Sequence, residues 1–513
     1  MAERHEAERE RLDAVIPRGE LRKLIRTLGE RPRRENEAML AQAETLLCDE
    51  QRLLERWWAL LPDERRAYLQ LTAYAHTVSQ PEQRPAFPQE ALRTYFDAPS
   101  LALIERLKQH HFLLKGYRRQ YHLLSTLCPH TPTLPLERGE GSPFPPLPFF
   151  RTLAEVLELV QAQALHLSQP DAPSADQTSP LTPSSEARLE AEGIGVLQGT
   201  FLLYHLMRAG VVEVDEEQGT LHLHGESLAA YLVQPEEVRL LDALLQLEGF
   251  LPPPLLPTPA EDFRAPRQRS LLDWKLPPAT TGAVLNQLAI FSDGPLVPLT
   301  ALGLEATTPA LYLDMLLALL ELLGMAERRT LDGVPQVRLR HLQRGLWGRR
   351  PPPPPPLQAT TVHLEGKRLD LPPTAPAALH REVQRWATCE GLEGGRCRYR
   401  LDERRLDAVL ASGERTEALA ARWTAVGAEV PDALHRWWQQ RERRYGRVRL
   451  YAHVDWLSTR DPLTLREIRL AVPELERWSE GEITPTDLLL QPERADALLQ
   501  ALRERGYLPR EEG

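Results

Sequence analysis

"PSLALIERLKQHHFLLKGYRRQYHLL", residues 99–124, carries two periods in one short stretch. Leu101, Ile104, Leu107 and Lys108 fall at helical spacing, and after His111 the pattern becomes that of a β-hairpin turning near Lys115-Gly116. Upstream, "PDERRAYLQLTAYAHT" and "PQEALRTYF" read as two further short helices, each opened by proline, a residue tolerated in the first turn.

Three helices and a hairpin describe a winged helix, and the order recurs. In 192–232 the apolar helix "GVLQGTFLLYHLMRAG" runs into "VVEVDEEQGTLHLH", with Gly219 in the turn. In 278–342 "TPALYLDMLLALLELLG" precedes "MAERRTLDGVPQVRLRHL", with Asp332-Gly333 as the turn signal. Four proline-rich or low-complexity stretches separate these segments: 129–150, 168–185, 250–263 and "RRPPPPPPLQ" at 349–358. Proline fixes φ and lacks an amide donor, so such stretches read as extended spacers. The expected map is an N-terminal helical segment (1–61), a first winged-helix-like unit (62–127), a linker (128–150), a second unit (151–249, with a loop at 168–187), a third (250–348), the polyproline (349–358) and an α/β domain (359–513). The expected fold class is therefore mainly α with small β-hairpins, α+β overall.

At 513 residues and 42% hydrophobic the chain is long enough for several cores. A formal net charge of -10 excludes a uniformly basic nucleic-acid coat and leaves only local patches. Of 62 basic residues five are Lys and 57 are Arg, which points first to coding bias. Four cysteines without a CxxC give no disulfide framework, and "MAERHEAERERLDAV" lacks the apolar core of a signal peptide. No apolar run reaches the length of a membrane span, so the expectation is a cytoplasmic chain with no membrane partner. "RLDAVIPRGELRKLIRTLG" reads as helical and is expected to pack on the first winged unit.

The last third reads as paired strands at "TVHLEGKRLDL", a helix over 375–389, a strand "RCRYRL", three helices, and then strand, strand, helix, strand, helix. Within it, His435 to Leu450 holds six Arg against one Glu. Leu434, Trp437, Trp438 and Tyr445 share one helical face, so the tryptophans read as core rather than as a platform for bases. Arg441, Arg443 and Arg444 fall in the helix's last turn, where cations suit the helix dipole, and Gly446 reads as a left-handed stop. In "GRVRLY" Val448 and Leu450 face one side while Arg447 and Arg449 face the other, which folding alone does not require.

"VPDALHRWWQQRERRYGRVRLYAHVDWLSTRDPLTLREI" and "ITPTDLLLQPERADALLQALRERGYLPRE", with "CRYRLDERRLDAVLASGE" upstream, resemble the amino-terminal domain of XPB-type DNA repair helicases, as found in bacterial proteins. The likeness covers about 360–513. It implies DNA engagement and docking to partner subunits, not a motor. No GxxxxGK[ST] is present, since Gly366-Lys367 is followed by Arg368, and "VDEEQ" does not follow a buried strand. Glu365-Gly366-Lys367 lacks a partner Asp, His222 and His224 lack further metal ligands, His110-His111 likewise, and no GxSxG occurs. The expectation is no enzyme, cofactor or metal.

Two readings remain. One is a DNA-binding accessory protein holding duplex or forked DNA, with Arg106, Lys108, Lys115, Arg118 and Arg119 of the first unit and Arg443, Arg444, Arg447 and Arg449 of the C-terminal patch on phosphates. The other is a scaffold for a separately encoded helicase or nuclease subunit. The acidic second wing and its helix, with Phe201, Leu202, Leu203, Leu206 and Met207, favour that reading.

Overall fold

A computed structural model of the protein describes residues 9–10, 12–78, 86–127, 132–138, 148–168, 180–215, 218–251, 270–271, 280–304, 308–353, 360–451, 456–491 and 493–512. It is α+β, with helices joined to small sheets. Helices α1 (Arg18–Thr27), α2 (Asn36–Cys48) and α3 (Glu50–Ala59) lead into α4 (Pro62–Val78), β1 (Ala86–Pro88), α5 (Gln89–Tyr95), α6 (Ala98–Gln109), β2 (Leu113–Lys115) and β3 (Gln120–Leu123). Asp97 starts α6 by accepting from the Ser100 amide at 2.9 Å. The strands pair in the order β1-β3-β2, so a third strand that sequence pattern does not reveal joins the hairpin. Beneath them Trp57, Tyr68 and Phe112 meet edge to face at 5.1–5.7 Å.

The second run comprises α7 (Pro148–Gln161), α8 (Pro183–Ala191), α9 (Val196–Arg208), β4 (Val212–Asp215) and β5 (Thr220–Leu223), followed by α10 (Gly225–Leu232) and α11 (Glu236–Phe250). His166 and Thr220 form an isolated antiparallel bridge beside this two-stranded hairpin. The third run comprises α12 (Thr281–Ala289), β6 (Val297–Pro298), α13 (Ala310–Leu322), β7 (Ala326–Leu331) and β8 (Val334–Leu339), and its order β6-β8-β7 repeats the first. Asp332 and Gly333 both take positive φ, 51° and 77°, and close the two-residue turn that Asp-Gly signals.

Next come β9 (His363–Glu365), β10 (Arg368–Leu371), α14 (Ala377–Gln384), β11 (Ala387–Glu393) and β12 (Arg396–Leu401), in sheet order β11-β12-β10-β9. The helix expected over 375–389 stops at Gln384, because Gly394-Gly395, with φ 58° and 69°, fold Ala387–Glu393 back as a strand on β12. Three helices follow: α15 (Glu403–Ala411), α16 (Thr416–Ala425) and α17 (Asp432–Arg444). Trp386, Trp423 and Trp438 are fully buried with ring centroids 5.3–5.8 Å apart. The last part contains β13 (Tyr445–Tyr451), β14 (Trp456–Thr459), α18 (Pro462–Ala471), β15 (Ser479–Thr484), β16 (Asp487–Leu490), α19 (Ala495–Glu504) and β17 (Leu508–Glu512). Its sheet is mixed, in the order β15-β16-β14-β13-β17, with β13 and β17 parallel. Leu457, Leu465, Ile468, Leu488, Leu498 and Leu502 form its core.

The chain divides into two compact units, one of residues 1–152, 189–205 and 236–355, the other of 153–188, 206–235 and 356–513. In the first, Asn286 joins the first and third runs, donating to Thr77 Oγ1 at 3.1 Å and accepting from Trp347 Nε1 at 2.9 Å. Residues 132–138 of the first proline-rich stretch are anchored there too: Leu134 exchanges two hydrogen bonds with the Gln343 side chain, and Pro135 O accepts from Trp57 Nε1 at 2.8 Å. Most of the other proline-rich sequence, including 252–263 and 354–358, lies outside the described residues. Cys48 is disulfide-bonded, although the cysteine spacing offers no disulfide framework, while Cys389 and Cys397 are not bridged. Among the described residues no helix is long and apolar enough to cross a membrane.

Candidate nucleic-acid interface

In the first unit, α6 and the β2–β3 turn present the five basic residues singled out by sequence. Arg106 donates through Nε to Glu64 Oε1 at 3.0 Å, and Glu64 is itself buried, also accepting from the Leu61 amide at 2.9 Å. Lys108 pairs with Glu105 and lies 4.3 Å from the Tyr121 ring centroid. Lys115 reaches Glu20 of α1 at 3.3 Å, which places α1 against the hairpin as the sequence leads one to expect. Each of these three cations thus has a carboxylate of its own. Arg118 and Arg119 differ. They sit at the tip of the turn, exposed, with φ of 56° and 57°, and make no ion pair among the described residues. Left-handed backbone costs a non-glycine residue roughly 1–2 kcal/mol, so the tip holds two arginines in strained positions facing water. Tyr117 beside them is half exposed.

In the second unit the arginine-rich stretch separates into parts. Arg441 is buried, donating to both carboxylate oxygens of Asp407 at 2.7 and 3.1 Å and to Glu403 at 2.8 Å, so it is bound into the helical core. Burial raises the Asp407 carboxyl above its ordinary value against the pull of Arg441, whereas a hydrogen bond from Lys367 holds Glu403 below its own. Arg443 and Arg444 are exposed and form no ion pair among the described residues. The helix gives way to strand at Tyr445, with φ −66° and ψ 129°, so Gly446 is not the stop expected; it lies with Arg447 at an irregularity in the pairing of β13 with β17. Backbone pairing with β14 sets Val448 opposite Thr459, Arg449 opposite Ser458 and Leu450 opposite Leu457. The side chains of Arg447 and Arg449 lie outside the described residues.

A cleft of about 1400 Å³ beside this stretch is lined by Lys367, Arg404 and Arg503 but also by Asp402, Glu403 and Glu504, a mixture that does not select phosphate. Other residues considered at the sequence level serve the fold. His224 Nδ1 caps α10, within 3.3 Å of the Ser227 amide, and His222 Nε2 lies 3.0 Å from Thr220 Oγ1. Lys367 closes the β9–β10 turn and pairs with Glu403 at 2.9 Å. Of the acidic second wing, Glu216 and Glu217 fall outside the described residues. On the third run Arg328 joins Glu321 at 2.7 Å and Asp314 at 3.2 Å, tying that hairpin to α13 and neutralising it.

No family model matches this chain, and no curated protein matches it.

Proposed function

We propose that this chain is a non-enzymatic, DNA-binding accessory protein of the XPB amino-terminal kind, in which the three helix–hairpin runs are winged helices. The observation that carries the reading is the tip of the first wing, where Arg118 and Arg119 are exposed in left-handed backbone without an ion pair among the described residues. Binding of phosphate then falls to the wing more than to α6, since Arg106, Lys108 and Lys115 each have an acidic neighbour. Arg443 and Arg444, continued by Arg447 and Arg449, form the second phosphate-binding patch.

The test is fluorescence-anisotropy titration of the full chain against short duplex, forked and single-stranded DNA at two salt concentrations. Arg118→Glu with Arg119→Glu, and separately Arg447→Glu with Arg449→Glu, are expected to weaken binding and to lower the salt slope by roughly 0.9 for each phosphate that is no longer neutralised. Unchanged affinity in both variants sinks the reading. The alternative, a scaffold for a helicase or nuclease subunit, is favoured by the third run. Its hairpin is charge-neutralised, and Leu311, Leu331 and Val334 are 74%, 44% and 44% exposed on its helix and turn. Absence of DNA binding at low salt selects that alternative.

A further inference from the structure

Five lysines serve this chain against 57 arginines, and of the four among the described residues three line one pocket. Lys23 of α1, Lys108 at the end of α6 and Lys115 of β2 surround a cavity of about 200 Å³ in the first unit, with Glu20, His111 and Tyr121. We infer that this pocket binds a phosphate group, either of a nucleic-acid backbone or of a small phosphorylated molecule.

Charge is the first support: Lys23, Lys108 and Lys115 line the pocket against two carboxylates, Glu20, which engages Lys115 at 3.3 Å, and Glu105, which pairs with Lys108, so one positive charge is left in excess. Lys23 is exposed and forms no ion pair among the described residues. Side-chain chemistry is the second. Had positive charge alone been needed, the arginine that fills nearly every other basic position would serve. An ammonium is a compact point charge with three rotatable donors on a flexible stem, whereas guanidinium demands a planar, bidentate approach. Three short-headed cations on three elements around one small space suit a tetrahedral anion. His111 is the third support. It is held at φ 61°, and its half-buried ring has no hydrogen bond among the described residues, leaving it free to donate to an entering oxygen. The volume sets the size: room for a phosphate and the first atoms of its carrier, below the ~300–1,000 Å³ of pockets for larger ligands.

The pocket stands or falls separately from the DNA reading. Thermal unfolding of the full chain is followed with millimolar inorganic phosphate against chloride at matched ionic strength, for the natural chain, for Lys23→Gln and for Lys23→Ala with Lys115→Ala. General salting effects raise every chain alike, so the difference between chains is what counts. Phosphate is expected to raise the midpoint of the natural chain and to bind Lys23→Gln about tenfold more weakly, the scale of removing one charged hydrogen bond. Because Lys23 is exposed, that variant keeps its fold even where the double variant does not. Equal shifts in the natural chain and Lys23→Gln, or none in either, overturn the inference. A duplex-binding titration with phosphate as competitor at constant ionic strength separates the sources. Displacement of DNA that disappears in Lys23→Gln assigns the pocket to backbone phosphate; phosphate bound without displacement assigns it to a small molecule. Phosphate binding in a chain that takes up no DNA would refute the proposed function and leave the pocket standing.

Discussion

Trp438 and Arg441, three residues apart on α17, show how one basic, aromatic stretch divides at the level of single side chains. Trp438 is fully buried between Trp386 and Trp423, while Trp437 is half-buried and touches the cluster only at 6.3 Å from Trp386. Trp438→Ala is therefore expected to cost about 3–5 kcal/mol of stability and Trp437→Ala clearly less, read as shifts in the urea unfolding midpoint; equal costs would mean that the buried face has been assigned wrongly. The helical period makes that face legible in the sequence. It cannot separate Arg441 from Arg443 and Arg444, since the acids that claim Arg441, Asp407 and Glu403, lie on another helix more than thirty residues earlier. The same holds in the first unit, where Glu64 and Glu20 reach Arg106 and Lys115 from distant sequence. Which cation is left over for a ligand is a tertiary property.

Hairpins are the elements best written into the chain, because their turns need residues that accept positive φ. Asp332-Gly333 forms the turn that its sequence signals, and Gly394-Gly395, beside the helical pattern of 375–389, shows that a turn signal outweighs the periodicity preceding it. Strands β1 and β6 are invisible in the sequence for a different reason: at three and two residues they carry no period and exist only because β3 and β8 offer an edge. Gly333 gives a measurement at this scale. Nothing lies within 4 Å of a Cβ placed there, so Gly333→Ala meets only the backbone cost of φ 77°. It should lose roughly 1–2 kcal/mol and speed amide exchange along Ala326–Leu339 before other regions; exchange unchanged in that hairpin would show that the turn does not set its stability.

Across the whole molecule, net charge of -10 hides an uneven response to acid. Three imidazoles of the first unit are held near pKa 4, well below the usual 6.5: His76 by burial with Arg349 adding to it, His111 by burial beside Arg56 and His110, and His205 by burial, against the hydrogen bond it shares with Gln246. Burial lowers His341 in the same direction, opposed by Asp293. A depressed folded pKa means that the unfolded chain takes up these protons first. The stability they represent is whole above about pH 6.5 and is lost progressively as pH falls toward 4. The depressed carboxylates Glu30, Glu327, Glu403 and Glu414 act in the same sense only below their ordinary value of 4.5, and Asp242 and Asp407, raised by burial, act in the opposite sense, so the loss expected between 6.5 and about 5 comes from the histidines. The unfolding midpoint should therefore drop between pH 7.5 and pH 5. His111→Asn is the informative variant, because asparagine tolerates the left-handed backbone at that position and carries no proton. It should flatten the dependence by one histidine's share while leaving the midpoint at pH 7.5 nearly in place. A midpoint indifferent to pH over that range, or a slope identical in the variant, would mean that His111 is not kept neutral by its surroundings.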